Sequence, residues 1–310
     1  MGLFIGLDLG GTNLKYALGD NTGNLKIKKS KPSLSNENQD KIFKNIFSAI
    51  DELREETTSD IQAIGVGTPG SVDFHKGQLI GKTPNIPAWE NAPVKKTIED
   101  KYGIPVYVDN DANVVALAEV RRGAAADCSS VACFTVGTGI GGGIILNNEI
   151  YRGANYSAAE VGHITVEMNG KPCGCGNFGC LEAYAAAPAM INRYRHKLKR
   201  TGLLYNEHQL STEFIFEKAE VEEDFAIETI NETCDYLGTG IASVVNILKP
   251  EMVLIGGGVA EAGDEFIKRI EKVIRQKIMK ANSDVLKVGR VKLGNDAGMV
   301  GAILLAVEGK

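Results

Sequence analysis

The sequence predicts an α/β fold made of two similarly built halves. Two observations carry this. Apolar, β-branched runs alternate with segments of helical period along the chain, and such alternation marks sheets covered by helices. A series of strand, Gly-Thr turn, strand and hairpin tip also opens the chain and recurs about 130 residues later, a topological repeat with little residue identity. The length of 310 residues accommodates two domains. The predicted division sets 1–117 plus 297–310 against 118–296.

In order, LFIGLDLG is a strand, GGTN a turn, LKYALGD a second strand and DNTGNL a hairpin tip. Residues 38–57 place Ile42, Phe43, Ile46, Ile50 and Leu53 at helical spacing. IQAIGVGTPG is an apolar strand entering a Gly-Pro turn. IPVYVDNDAN is a strand closed by a polar run, and NVVALAEVRRG continues as a helix stopped by Gly123. SSVACFTVGTGIGGGIIL reads as strand, glycine turn and strand, with NN as the hairpin tip before EIYRG. Helices dominate 181–240. PEMVLIGGGVAEAGDEFIKRIEKVIRQKI is strand, glycine turn and helix, GRVKLG is a last strand, and AGMVGAILLAVEG is a closing apolar helix.

Composition narrows the function. The net charge is −5, so the basic footprint of a nucleic-acid binder is missing. Residues 1–10 read as a strand, not a secretory signal, and no apolar run is long enough to span a bilayer. The expectation is a cytoplasmic protein with neither membrane nor nucleic acid as partner. Thiols stay reduced in that compartment, so the six cysteines argue against disulfides. Cys128, Cys133 and Cys234 suit core positions. Cys173, Cys175 and Cys180 fall within eight residues, ten after His163. Three buried or redox-active cysteines are the bland alternative; three thiolates and one imidazole complete a tetrahedral zinc set, which with no open position reads as structural. Glu160 and Glu182 flank this knuckle; either one alone reads as a solvated glutamate, and the pair, positioned by the knuckle, as acceptors for sugar hydroxyls.

The glycine turns suggest phosphate. GTGIGG at 137–142 fits the dinucleotide fingerprint, but that reading needs a helix after the glycines. The residues that follow form a hairpin. The better reading is a pair of anion-binding turns, Asp8-Leu9-Gly10-Gly11-Thr12-Asn13 and Gly137-Thr138-Gly139, whose backbone N–H groups face a triphosphate. Two ordinary tight hairpins are the bland alternative, and Gly256-Gly257-Gly258 after a buried strand counts against it. Asp8 stands in an apolar strand, where a carboxylate is costly without a partner. A Mg²⁺ ion held through water would supply one, and so would the amides of its own turn. Asp109 and Asp111 stand at a strand end, where α/β folds place their sites. Either could take the proton of an attacking hydroxyl, or simply cap a helix.

Taken together, DLGGTN, NDAN at 110–113, VGTGIGGG at 136–143, EVGH at 160–163, CGCGNFGC at 173–180 and IGGG at 255–258 resemble the ROK family of sugar kinases and repressors. The match runs nearly end to end and in order. It implies a two-domain actin-like, RNase H-like ATPase fold with sugar and ATP in the cleft between domains. It implies ATP-dependent phosphorylation of a hexose, glucose to glucose 6-phosphate, with Mg²⁺ and a structural zinc ion, in a homodimer or homotetramer. Asp8, Gly10, Gly11, Thr12 and Asn13 match the first phosphate motif, and Gly137, Thr138 and Gly139 the second. Gly256, Gly257 and Gly258 match the adenosine motif. Asp111 is similar to the catalytic base, which the resemblance prefers over Asp109. Asn110, Glu160, His163 and Glu182 match sugar-contacting positions, and His163 also matches a zinc ligand alongside Cys173, Cys175 and Cys180. Gly67, Gly70 and Asn85 lie in segments that resemble the sugar-side loops. Phe178, where a basic or polar residue is expected, and Ala185-Ala186-Ala187, where small polar residues are usual, depart from the pattern. The first phosphate motif begins at residue 8, which leaves no room for the helix-turn-helix of the repressors. N-acetylmannosamine, N-acetylglucosamine or fructose as substrate, and a non-catalytic sugar sensor, are the alternatives.

Overall fold

The computed structural model of the chain describes residues 2–83, 86–201 and 206–309. Its contacts divide it into two compact units. Unit 1 is Met1–Ser129, Gly143–Ala159 and Lys292–Lys310, and unit 2 is Ser130–Gly142 and Glu160–Val291. A helix runs unbroken over Asp111–Arg122.

The first 129 residues, all in unit 1, hold β1 (Leu3–Leu9), β2 (Asn13–Asp20), β3 (Leu25–Pro32), β4 (Ile61–Thr68), the short pair β5 (Ser71–Asp73) and β6 (Gln78–Ile80), and β7 (Val106–Asn110). The five-stranded sheet has the order β3-β2-β1-β4-β7. β1 pairs antiparallel with β2 and parallel with β4, which pairs parallel with β7. The helices are α1 (Gln39–Arg54), α2 (Val94–Tyr102) and α3 (Asp111–Arg122). Helix α1 starts because Asn38 accepts a hydrogen bond from the Lys41 amide, one of the four donors a helix leaves orphaned. Its stripe of Ile42, Phe43, Ile46, Ile50 and Leu53 is buried in the same apolar cluster as Ile5, Leu7 and Val66 of the sheet.

The second sheet has the order β10-β9-β8-β11-β12, built from β8 (Val131–Val136), β9 (Ile140–Leu146), β10 (Glu149–Ile150), β11 (Met252–Gly256) and β12 (Lys287–Arg290). This is the order of the first sheet strand for strand, as the recurring sequence pattern predicts. The Asn147-Asn148 tip has both residues at positive φ, 53° and 66°, the conformation a tight hairpin requires. Glycines 137–142 therefore lead into a hairpin and not a helix, which removes the dinucleotide reading. The helices of unit 2 are α4 (Glu182–Ala185), α5 (Ala187–Thr201), α6 (Thr212–Glu220), α7 (Asp224–Leu248), α8 (Asp264–Lys277) and α9 (Lys280–Ser283). They bury one cluster containing Phe134, Ile255, Tyr194, Leu237 and Ile270.

One expected strand is displaced. GRVKLG at 289–294 was expected to be the last strand, yet β12 spans Lys287–Arg290, in parallel register with Met252–Ile255. The next residues leave the ladder because the amides of Lys292 and Leu293 donate to the buried Glu119 carboxylate at 2.9 and 2.8 Å. The chain then enters α10 (Ala297–Glu308), which belongs to unit 1. Every residue from Ala297 to Ala306 is buried, as expected of a helix apolar all round. Gly65 of β4 permits this, since a Cβ there would fall on the carbonyl of Ala302. Among the described residues no helix is long and apolar enough to cross a membrane.

Candidate active site

In unit 1 the carboxyl ends of three parallel strands lie side by side. Asp8 of β1 is in register with Gly67 of β4, and Gly67 with Asp109 of β7. Open α/β sheets place their ligands at such ends. Asp8 is half-buried and packs against Gly298 in the first turn of α10. Burial pushes its carboxyl above the ordinary range, opposed only by the charge of Lys15. No hydrogen-bond donor among the described residues serves it, so its surroundings fit a cation. The turn that follows is closed by the Gly10 amide donating to the Asn13 carbonyl at 2.8 Å. Gly11, Thr12 and Asn13 are exposed.

The two aspartates of the Asp109-Asn110-Asp111 strand end separate clearly. Asp109 is 2% exposed. One of its oxygens takes Arg152 Nε at 2.7 Å, and the other takes Asn113 Nδ2 at 2.8 Å and the Asn110 amide at 2.7 Å. Arg152 in turn stacks on Phe74, 3.8 Å from the ring centroid. Asp109 is thus saturated. Asn110 caps α3, accepting from the amides of Ala112 and Asn113, and donates to the Gly70 carbonyl at 3.1 Å. Asp111 opens α3, half-buried. Burial first, then the charge of Asp8, push its carboxyl up to about 6 against hydrogen bonds from nearby amides and Asn110. Gly67 stands beside it, 3.8 Å from a built Cβ to Asp111 Cα. Asn85 lies outside the described residues.

In unit 2 two glycine turns are neighbours. β8 and β11 pair parallel, with Gly256 opposite Thr135. Gly257 follows with φ 85°, and a side chain there would strike the Val136 backbone. Only glycine meets both demands. Val136 leads into Gly137-Thr138-Gly139, where the Gly137 amide donates to the Gly139 carbonyl at 2.9 Å. Thr138, Gly257 and Gly258 are exposed.

The metal candidates also come together in unit 2. One ligand atom from each of His163, Cys173, Cys175 and Cys180 lies within 4.8 Å of all the others. Cys173 Sγ is 3.6 Å from His163 Nδ1, and Cys175 Sγ is 3.7 Å from Cys180 Sγ. Tetrahedral zinc with ordinary bond lengths requires edges of about 3.6 Å for S···N and about 3.8 Å for S···S. The four residues fit that ion. His163 turns its other nitrogen, Nε2, toward Glu160 at 4.0 Å. Glu182 begins α4. Its Oε2 accepts from the Ile140 amide at 2.9 Å, and its Oε1 is 3.8 Å from Cys173 Sγ.

Two five-stranded α/β sheets with matching strand orders, each with glycine turns at strand ends, make this an actin-like ATPase fold. The ROK family model matches residues 4–308, and the chain belongs to that family. It is 36% identical over 308 residues to a glucokinase of Halalkalibacterium halodurans, covering 96% of this chain and 93% of the relative. It is 32% identical to a putative xylose repressor of a Caldicellulosiruptor species, covering 99% of this chain and 79% of the repressor. Among solved structures, a ROK family glucokinase from Streptomyces griseus in complex with glucose and AMPPNP superposes with a TM-score of 0.86 at 32% identity. That match covers 99% of this chain and all of the other.

Sequence reasoning missed two features here. The partner of Asp109 is Arg152, 43 positions away, and no local pattern pairs them. The bond from Glu182 to Ile140 spans 42 positions. Its only trace in the sequence is the nearness of Glu182 to Cys180.

Proposed function

We propose that the chain is an ATP-dependent hexose kinase that phosphorylates glucose on its 6-hydroxyl. The observation that carries this is Asp111. It is a half-buried carboxyl at a strand end, raised toward neutrality, beside an Asp109 whose oxygens are already engaged. A general base works best with a pKa near the working pH. The family membership and the likeness to a glucokinase crystallised with glucose and AMPPNP support the substrate class.

In unit 1, Asp111 accepts the proton of the attacking hydroxyl as the new O–P bond forms and the bond from the γ-phosphorus to the β-phosphate oxygen breaks, releasing ADP. Asp8, with the Gly10–Asn13 turn, faces the phosphates. Asp8 would hold a Mg²⁺ ion, which would supply charge compensation for the phosphates. Asn110 has a spare amide hydrogen for a sugar hydroxyl. In unit 2, Gly137–Gly139 takes phosphate and Gly256–Gly258 the adenosine, while Glu160, His163 Nε2 and Glu182 serve as hydroxyl partners. His163, Cys173, Cys175 and Cys180 would hold a zinc ion, which would brace the segments that carry them.

The test is glucose 6-phosphate production from purified protein, ATP and Mg²⁺, run beside N-acetylmannosamine, N-acetylglucosamine and fructose. Glucose should give the highest kcat/KM. Asp111→Asn should lower kcat by at least ~10³-fold with glucose affinity by calorimetry changed little; full activity in that variant would remove Asp111 from the reaction. The likeness to repressors favours one other reading, a sugar-binding regulator. It predicts glucose binding with no phosphorylation of any sugar in the panel.

A further inference from the structure

We propose that the cysteine–histidine cluster holds the Gly137–Gly139 turn in shape through Glu182, so that nucleotide affinity depends on whether the cluster carries metal. This rests on the reading above, in which the turn takes phosphate and the cluster takes zinc.

The argument starts at Ile140, the residue directly after the turn. Its N–H donates to Glu182 Oε2 at 2.9 Å. Its carbonyl is covered by Gly162, where a Cβ would collide with that oxygen. This one residue is therefore bonded on one side and closely packed on the other by neighbours of metal ligands, since Gly162 precedes His163 and Glu182 follows the buried Cys180 by two. The turn's other end is held from the same side: the Gly137 carbonyl accepts from the Ala187 amide at 2.8 Å, just beyond α4, the helix Glu182 opens. Within the turn, Gly139 packs so closely on the Glu182 carboxylate that a side chain at 139 would strike Oε2.

The two ligand-bearing segments are joined to each other by the Thr165–Cys180 bridge and by the Leu181 amide donating to the Ile164 carbonyl at 2.9 Å. The knuckle between them has little apolar burial of its own. Met168 and Phe178 are exposed at 82% and 61%, and Cys175 is exposed. A loop without a core keeps its shape through its cross-link. Losing the metal frees Cys173, which touches Glu182 Oε1, and loosens the carboxylate that fixes Ile140. Glu182 is in this respect a positioning residue for the phosphate turn, in addition to its proposed role toward sugar.

The experiment measures binding of a nonhydrolysable ATP analogue with Mg²⁺ by calorimetry, without sugar, on metal-loaded and chelator-stripped protein. Elemental analysis reports metal content and circular dichroism the fold. Stripping should weaken analogue binding by tenfold or more in the natural chain. Glu182→Ala should be weakened to a similar degree while still fully loaded, and should change less than twofold on stripping. Glu182→Gln, whose amide oxygen still accepts from Ile140, should bind the analogue, loaded and stripped, with the affinities of the natural chain, whatever it does to sugar binding. Unchanged affinity after verified stripping, or natural-chain affinity in Glu182→Ala, overturns the inference. So does a well-folded purified protein that holds no metal. If stripping costs the fold, the loaded Glu182→Ala protein decides alone, with weaker binding in support and equal binding against. Loaded natural protein that binds no analogue at all overturns the nucleotide reading of the turn, and this inference with it.

Discussion

Asp109 and Asp111 are the same side chain two residues apart, in opposite electrical surroundings. Asp109 is buried but balanced by Arg152 and two further donors, so it holds the strand end in place. Removing Arg152 would leave an uncompensated buried charge, a change that costs about 3–5 kcal/mol in comparable pairs. Asp111 carries the opposite burden. Burial and the nearby Asp8 raise its carboxyl from 3.8 to about 6, so its charged form is disfavoured in the folded chain. That group's contribution to stability is complete below pH 3.8 and is lost as the pH rises through about 6. At neutral pH the ionised carboxyl therefore costs the fold about 3 kcal/mol. Asp111→Asn should raise the thermal midpoint by about 5 °C at pH 7 and leave it nearly unchanged near pH 4, read by scanning fluorimetry. The same titration should govern the reaction. For the natural chain, kcat/KM for the preferred sugar should fall as the pH drops through about 6, because the protonated carboxyl cannot accept a proton. A flat acid limb down to pH 5 would contradict this.

At the scale of elements, the close approach of α10 to β4 is the most demanding contact in unit 1. Gly65→Ala would drive a methyl into the Ala302 carbonyl, a backbone atom that cannot step aside as a side chain could. The expected loss is about 3 kcal/mol or more, measured as a lower urea midpoint at unchanged slope. Most elements were legible because their signals are local. Helix α1 shows in the spacing of Ile42, Phe43, Ile46 and Ile50, and the β9–β10 hairpin in Asn147-Asn148. The His163, Cys173, Cys175 and Cys180 set was legible for the same reason, as ligands close in sequence. Strand β12 starts two and ends four residues before the GRVKLG segment because its end is set by Glu119, more than 170 positions away. Arg152 and the bond of Glu182 to Ile140 were hidden for the same cause, since pairing across such distances is decided by tertiary packing. The aspartates illustrate the limit: spacing left both candidates open, and their surroundings separate them.

For the whole molecule, metal should act as a folding ligand. A group that binds the folded chain and not the unfolded one stabilises it by mass action. Chelation is therefore expected to lower the thermal midpoint by several degrees, and zinc should restore it, with Mg²⁺ failing to do so because thiolates select the softer ion. An identical midpoint with and without chelator would exclude a structural metal. The burial of α10 in unit 1 also bears on how the chain is made. Its apolar surface completes a unit whose sheet and α3 belong to the first 122 residues. During translation that sheet must wait, with Gly65 and the facing apolar side chains uncovered, until the ribosome has passed the whole of unit 2. Nascent chains stalled before α10 should depend on chaperones to stay unaggregated, while unit 2, whose segments are complete by Val291, is free to fold ahead of them.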